Sequence, residues 1–443
     1  VFKFRPHHLF GDTTSFKHQL LRGGTGSLGV KVINQVLSLA LGIALARGLG
    51  PSGYGIYSFT FAVLTVLIVL AELGMPLMLV REIAKSEALE DWPHLRGVII
   101  RSLQTVFFSS IALSFLVFSS LWLFNNKFSP TQTETFFWIC ALLPLLVVTK
   151  ALFSILTGLR HVVKAQALEM PVRTFLVASG VFSLYSFAPK HLSPQNAMAV
   201  QVIAATIVFM ATTVLLYKLL PQQALIIKAQ FRSRAWLTAA IPLTLIGGTD
   251  LINNQADILM LQFFGSSKDV GIYRVSVQGA ILVSFSMQAL SSVISPQFAR
   301  LHSLGDKDRL QRLVTVSARI IFLLALPVCF TLILAGKPII TLIFGAEFTE
   351  SHVPLAILAA GNLFIASMGP AGFLLVMTGH ERIMSKIMVM TAGLNIFLNF
   401  FLIPPFGAIG AACATVISIG ILYSALLLTV KKCLGINTSI FST

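Results

Sequence analysis

Two short polar stripes interrupt a chain that is otherwise apolar. Lys31, Asn34, Gln35 and Ser38 recur at i, i+3, i+4 and i+7, and Asp250, Asn253, Asn254 and Asp257 repeat that spacing. On a helix such a set shares one face. Glu72 and Lys150 are two more ionisable residues inside apolar runs. Charge is costly in hydrocarbon and marks an ion or substrate path. The amides and cations, Lys31, Asn34, Gln35, Lys150, Asn253 and Asn254, are candidates to hold a polar cargo. The carboxylates Glu72, Asp250 and Asp257 are candidates to couple its movement to protons or sodium. For each stripe the alternative is interhelical hydrogen bonding that only holds the bundle together. The two lysines can also snorkel to the interface. Glu72 lies at a depth similar to Lys31 and Lys150, so a pair with either is open. Asn362, Asn395 and Asn399 read as packing residues.

The elements that must position these groups follow from composition. Of 443 residues, 56% are hydrophobic and 11% charged, against about 25% charged in soluble domains. That excludes a disordered chain, a fibrous one and an ordinary soluble enzyme. Apolar runs long enough to cross a bilayer as helices recur throughout, which predicts an all-α polytopic membrane protein. Twelve spans are expected, at 25–46, 56–80, 98–124, 136–156, 171–187, 196–217, 236–260, 273–298, 313–335, 353–377, 383–403 and 408–430. They divide as a short segment 1–24, a six-helix bundle 25–217, a linker 218–235, a second bundle 236–430 and a tail 431–443. Residues 1–22 carry no signal-peptide cleavage pattern, so the first span is expected to be retained.

Charge placement sets the orientation. The net charge is +16, and here it points to basic loops beside anionic lipid, with no nucleic-acid partner. With both termini inside, the inner segments hold most of the 32 Lys and Arg, Arg160, Lys164, Arg173 and Lys218 among them. The outer loops hold only Arg47, Lys127, Lys190, Lys268, Arg274 and Lys337. Cys140, Cys329, Cys413 and Cys433 are widely spaced and read as free thiols. His7 and His8 have no companion ligands, so no metal site and no cofactor are expected. All loops are short and no covalent chemistry is expected: the chain reads as a transporter and not an enzyme.

The halves repeat one another. Gly53-Tyr54-Gly55-Ile56-Tyr57 follows the first span and Val270-Gly271-Ile272-Tyr273 follows the seventh. Thr157-Gly158-Leu159-Arg160 and Thr378-Gly379-His380-Glu381-Arg382 end the fourth span of each half. Two parallel repeats facing one another imply a shared cavity and alternating access.

Four stretches carry a resemblance to a known family: Ala46-Arg47-Gly48-Leu49-Gly50-Pro51 through Tyr57; Glu72-Leu73-Gly74 with Val80-Arg81-Glu82-Ile83-Ala84; Ile343-Phe344-Gly345-Ala346-Glu347-Phe348; and Leu394-Asn395-Ile396 with Ile403-Pro404-Pro405-Phe406-Gly407-Ala408-Ile409-Gly410-Ala411-Ala412. Together they resemble the polysaccharide transporter family, the O-antigen-type lipid-linked oligosaccharide flippases of the multidrug/oligosaccharidyl-lipid/polysaccharide (MOP) superfamily. The resemblance implies two MATE-like six-helix bundles in a bacterial cytoplasmic membrane. It implies a polyprenyl-pyrophosphate oligosaccharide as cargo, with lipids, a polymerase and chain-length proteins as partners. Cations such as Lys31, Lys150 and Arg319 suit the pyrophosphate. The carboxylates suit the rival reading, a MATE-like multidrug or cation antiporter. A membrane polymerase or ligase would need a large basic outer loop, which is absent from the sequence.

Overall fold

The computed structural model describes the backbone of residues 13–123 and 129–441. Side chains are described from residue 26 onward except at scattered positions, most of them in 233–253 and 289–296, Asp250 and Asn253 included. His7 and His8 lie outside the described residues.

Among the described residues there are helices and no strands. In chain order they are α1 (Thr13–Glu72), α2 (Met75–Ala88), α3 (Trp92–Leu123), α4 (Pro130–Gly158), α5 (Val162–Ala167), α6 (Arg173–Phe187), α7 (Pro194–Leu219), α8 (Gln222–Ile226), α9 (Ser233–Phe264), α10 (Ser267–Ser303), α11 (Lys307–Leu334), α12 (Gly336–Ile343), α13 (His352–Met368), α14 (Ala371–Met377) and α15 (Glu381–Leu434). Nine helices among the described residues are long and apolar enough to cross a membrane, and this is a multi-pass membrane protein. Two of the nine, Gly29–Glu72 and Glu381–Leu434, have 44 and 54 residues. At about 1.5 Å per residue each exceeds twice the ~30 Å hydrocarbon thickness. Both are broken by a glycine whose backbone is not helical, Gly50 (φ 66°, ψ 176°) and Gly407 (φ 53°, ψ −129°). A β-carbon disfavours positive φ, so glycine is the residue these reversals select. Pro51 then opens the second half of α1, where a missing N–H costs nothing.

A second break separates α1 from α2. Leu73 and Gly74 have φ of 47° and 70°, and Pro76 follows in the first turn of α2. The sequence places a local break at this point of the second span, and the break ends the helix directly after Glu72. The fifth span begins earlier than hydropathy suggests. α5 starts at Val162, and a five-residue π turn, Leu168–Val172, carries the helix through Pro171 into α6. A wider turn relieves the clash that proline makes with the preceding turn.

The packing is asymmetric between inside and lipid. One apolar cluster runs through both halves, with Leu64, Met78, Ile139, Leu142 and Tyr273 among its fully buried members. A smaller one joins α10, α11, α14 and α15 around Phe298, Leu310 and Leu374. Phe115, Trp122 and Phe187 are 70%, 77% and 87% exposed, as expected of side chains that face acyl chains. The linker after α7 is strapped to the start of α3: Arg96 Nη1 donates to the Ile227 carbonyl (2.5 Å) and Gln230 N to Pro93 O (2.9 Å). Residues 435–441 pack back on the protein. Thr438 Oγ1 donates to Met368 O (2.8 Å), covering a carbonyl at the break between α13 and α14.

Candidate functional site: a polar cavity in three connected parts

The first half of α1, with α9 and α10, forms the centre of the molecule, and a chain of cavities opens around it. The first compartment, about 300 Å³, is lined by Gln35, Ser38, Tyr54, Tyr57, Glu169, Arg173, Gln201, Gln255, Arg274 and Gln278. The second, about 600 Å³, is lined by Glu72, Lys150, Thr244, Asn254 and Gln255. The third, about 430 Å³, is lined by Gln35, Asn254, Asp257, Tyr273, Arg274, Asn362 and Thr415. Gln255 borders the first two, Asn254 the second and third, Gln35 and Arg274 the first and third. The three compartments adjoin and share these wall residues.

Glu72 and Lys150 meet in the second compartment. Lys150 Nζ lies 2.7 Å from Glu72 Oε1 and 3.0 Å from Oε2. The Glu72 side chain is 9% accessible and that of Lys150 is 42%. The pair that depth alone left open is therefore formed with Lys150. Gly74 presses on the opposite wall: a β-carbon there would lie 2.2 Å from Ala240 O. The carboxylate sits where the two halves touch.

Asp257 holds the third compartment. Its Oδ1 accepts from Asn399 Nδ2 (2.6 Å), and its Oδ2 accepts from the hydroxyls of Tyr273 and Thr415 (2.6 Å each). Asn399 Nδ2 also donates to Asn395 Oδ1 (3.0 Å), while Asn399 Oδ1 is buried without a hydrogen-bond partner. All three donors to the carboxylate are neutral. Three hydrogen bonds satisfy much of the buried carboxylate, and Arg274 lines the same compartment. Asn395 and Asn399, expected to be packing residues, belong to this network.

Arg173 and Arg274 supply the positive charge. Arg173 Nη2 donates to Gln201 Oε1 (3.1 Å), and Gln201 Nε2 donates to the Tyr57 hydroxyl (2.8 Å). Neither arginine forms an ion pair among the described residues. Gln278 fastens α10 to α1: its Nε2 donates to Ser38 O (3.0 Å), and its Oε1 accepts from Tyr54 (3.3 Å).

The predicted residues divide. Gln35, Lys150, Asn254, Glu72 and Asp257 line the cavity. Lys31 does not: it is exposed on α1 and lines none of the three compartments. Asn34 is also off the wall, because its Oδ1 accepts from Thr174 (2.8 Å) where α6 covers that face. The side chains of Asp250 and Asn253 lie outside the described residues. Arg319 is away from the cavity, with Nε donating to Ile440 O at 3.3 Å. Arg173 and Arg274, counted with inner and outer charges although the expected spans 171–187 and 273–298 contain them, both lie within helices. For Arg274 the signal was present in Ser266 and Asp269, whose capping box starts α10 at Ser267 and places Arg274 about two turns inside the helix. For Arg173 the proline at 171 masked a helix that continues through it.

Known proteins share this architecture. A family described as "Polysaccharide biosynthesis protein" matches residues 20–302. The "Probable low-salt glycan biosynthesis flippase Agl15" of Haloferax volcanii is 27% identical over 165 residues, 37% of this chain and 35% of that protein. The "Capsular polysaccharide biosynthesis protein CapF" of Staphylococcus aureus is 27% identical over 191 residues, 43% of this chain and 48% of that one. The matched region thus spans between a third and a half of these relatives' length. Among solved structures, an inward-facing multidrug resistance MATE transporter of the MOP superfamily aligns with a TM-score of 0.72, at 14% identity over 92% of this chain and 99% of its own. The lipid II flippase MurJ, in an inward closed conformation, aligns at 0.69, with 16% identity over 91% and 86%. Identity this low bears on the fold alone, which is all-α and MATE- and MurJ-like. The family match covers well over half of the sequence, and the chain belongs to the polysaccharide biosynthesis protein family.

Proposed function

We propose that this chain is a flippase that moves a polyprenyl-pyrophosphate-linked oligosaccharide across a membrane by alternating access. The observation that carries the reading is the set of adjoining compartments lined by Arg173 and Arg274, neither of which is in an ion pair among the described residues, although Glu169 lines the same compartment as Arg173. A diphosphate needs paired cations in a wet path through hydrocarbon, and guanidinium groups suit it. Gln35, Asn254, Gln201 and Gln278 offer donors and acceptors to sugar hydroxyls. Lys150 joins the cationic set when Glu72 is protonated.

In this reading 25–217 and 236–430 are two six-helix units that rock about the linker 218–235. The twelve spans come from two passes in each of α1 and α15, with α9 added to the remaining helices. Both termini face the cytoplasm of a bacterial cell, and the cargo is an O-antigen or exopolysaccharide unit handed to a polymerase and its chain-length protein. Asp257 is the coupling group, taking a proton or sodium ion among Asn399, Tyr273 and Thr415, with Glu72 and Asp250 as further carboxylates on the path.

The buried Asp257 favours a second reading, a MATE-like cation antiporter, because a carboxylate among neutral donors also suits an organic cation. Binding separates the two. Fluorescent polyprenyl diphosphate and rhodamine 6G are titrated onto the purified chain, with Arg173→Gln/Arg274→Gln beside it. The flippase reading predicts tight diphosphate binding that the double variant weakens at least tenfold. Rhodamine binding that Asp257→Asn abolishes, with no diphosphate binding, would establish the antiporter.

A further inference from the structure

The lipid-facing surface carries one trough that is separate from the cavity. It holds about 660 Å³ between α5 with its π turn and the last turns of α7. Leu168, Met210, Val214 and Leu215 make its apolar wall, and Lys164 and Lys218 stand on it as well. Lys164 lies near the start of α5 and Lys218 near the end of α7. These helices run in opposite directions, so both lysines belong to the same end of the bundle. Both are exposed, and neither forms an ion pair among the described residues.

We infer that this trough is a site for an anionic glycerophospholipid, with the headgroup phosphate between Lys164 and Lys218 and an acyl chain along Leu168, Met210 and Val214. Charge complementarity selects the occupant. Basic pockets between membrane helices on the inner side collect acidic headgroups. A zwitterionic lipid would bring its own cation against two lysines. Inorganic phosphate would leave the apolar wall uncovered. The lipid-linked cargo needs its diphosphate inside the cavity, and the trough is on the other side of the helix wall.

That wall gives the site a consequence. Leu168 faces the trough, and its neighbour Glu169 faces the cavity with Arg173. Leu168 and Glu169 belong to the π turn Leu168–Val172, and Arg173 follows it directly. A bound lipid therefore packs against the turn that positions a cavity arginine, and the anionic lipid content of the membrane sets how well that arginine is held.

Native mass spectrometry tests the site without any transported cargo, so its outcome is independent of the flippase reading. The purified chain is offered equimolar phosphatidylglycerol and phosphatidylcholine of matched chains, with polyprenyl monophosphate as a third competitor. Phosphatidylglycerol adducts should dominate and fall about tenfold in Lys164→Gln/Lys218→Gln, for two lysines near an acidic headgroup. Lys164→Arg/Lys218→Arg should retain them, and so should Lys431→Gln/Lys432→Gln, which removes two exposed lysines elsewhere. Equal retention by the Gln pair at 164 and 218, no preference over phosphatidylcholine, or displacement by polyprenyl phosphate would each overturn the proposal.

Discussion

Gly55 and Gly271 each precede an Ile-Tyr pair, and each lies against the backbone of the other's segment. A β-carbon on Gly55 would stand 1.6 Å from Ser267 O, and one on Gly271 would stand 2.0 Å from Pro51 O. Ser267 and Pro51 are separated in sequence by the same offset as the two glycines. The crossing is thus reciprocal: α1 just past Gly50 and the start of α10 touch backbone to backbone. Gly74 lies against Ala240 O, and the helical stretch from Gly50 to Gly74 is close to one membrane thickness at about 1.5 Å per residue. These two contacts should close the cavity at its two ends.

Alanine at Gly55 should open the first of these ends. The obstacle is a backbone carbonyl, so the helices must part, at a cost of about 1–3 kcal/mol for overpacking. Each step of about 1.4 kcal/mol is tenfold in the ratio of conformers. Gly55→Ala should therefore raise external labelling of Cys at Ser58→Cys, a cavity position, by an impermeant maleimide about tenfold or more. Gly271→Ala should do the same, because the contact is reciprocal. Unchanged labelling in both would mean that this crossing does not close the cavity.

The Glu72–Lys150 pair should behave asymmetrically. Lys150→Met leaves a buried carboxylate unpaired and should lower the melting temperature in detergent. Glu72→Gln leaves a half-exposed lysine that can turn to water, and should lower it less. Adding Glu72→Gln to Lys150→Met should recover part of the loss. Lys150 is 42% accessible, so the coupling in a double-mutant cycle should be nearer the ~1 kcal/mol of a solvated pair than the roughly 3–5 kcal/mol seen on breaking a fully buried one.

Asp257→Asn keeps the shape of its site and removes the charge. Tyr273 and Thr415 can still hydrogen-bond the new amide. Membrane abundance should match the parent, while gradient-driven transport should fall at least tenfold, measured with an imposed pH or sodium gradient. Full transport by Asp257→Asn would remove it as the coupling group.

Much of the fold was legible because hydrocarbon permits few solutions: apolar runs of bilayer-spanning length must be helices. The polar stripes were legible too, since Gln35, Asn254 and Asp257 follow a helical period onto the cavity wall. Failures came where hydropathy was read without helix caps. Arg274 was counted with an outer loop although the span expected at 273–298 contains it, and Ser266 and Asp269 cap a helix that starts before it. Arg173 was counted with an inner loop although the span expected at 171–187 contains it; that span starts earlier, at Val162, because a π turn carries the helix through Pro171, which no local rule announces. Lys31 shares a helix face with Gln35, yet periodicity gives only direction and cannot say how far along the helix the cavity extends. The partners of Asp257 come from α10 and α15, and such contacts between distant segments depend on packing that no single segment encodes.

The proposed path takes a lipid diphosphate through this cavity between Arg173 and Arg274. Its most direct test is reconstitution into liposomes with a fluorescent polyprenyl-diphosphate oligosaccharide in both leaflets, bleached from outside by dithionite. The account predicts protein-dependent bleaching beyond the half set by the outer leaflet, at a rate at least tenfold lower in Arg173→Gln/Arg274→Gln. Bleaching that stops at one half with the parent protein, or that proceeds equally fast with the double variant, would contradict it.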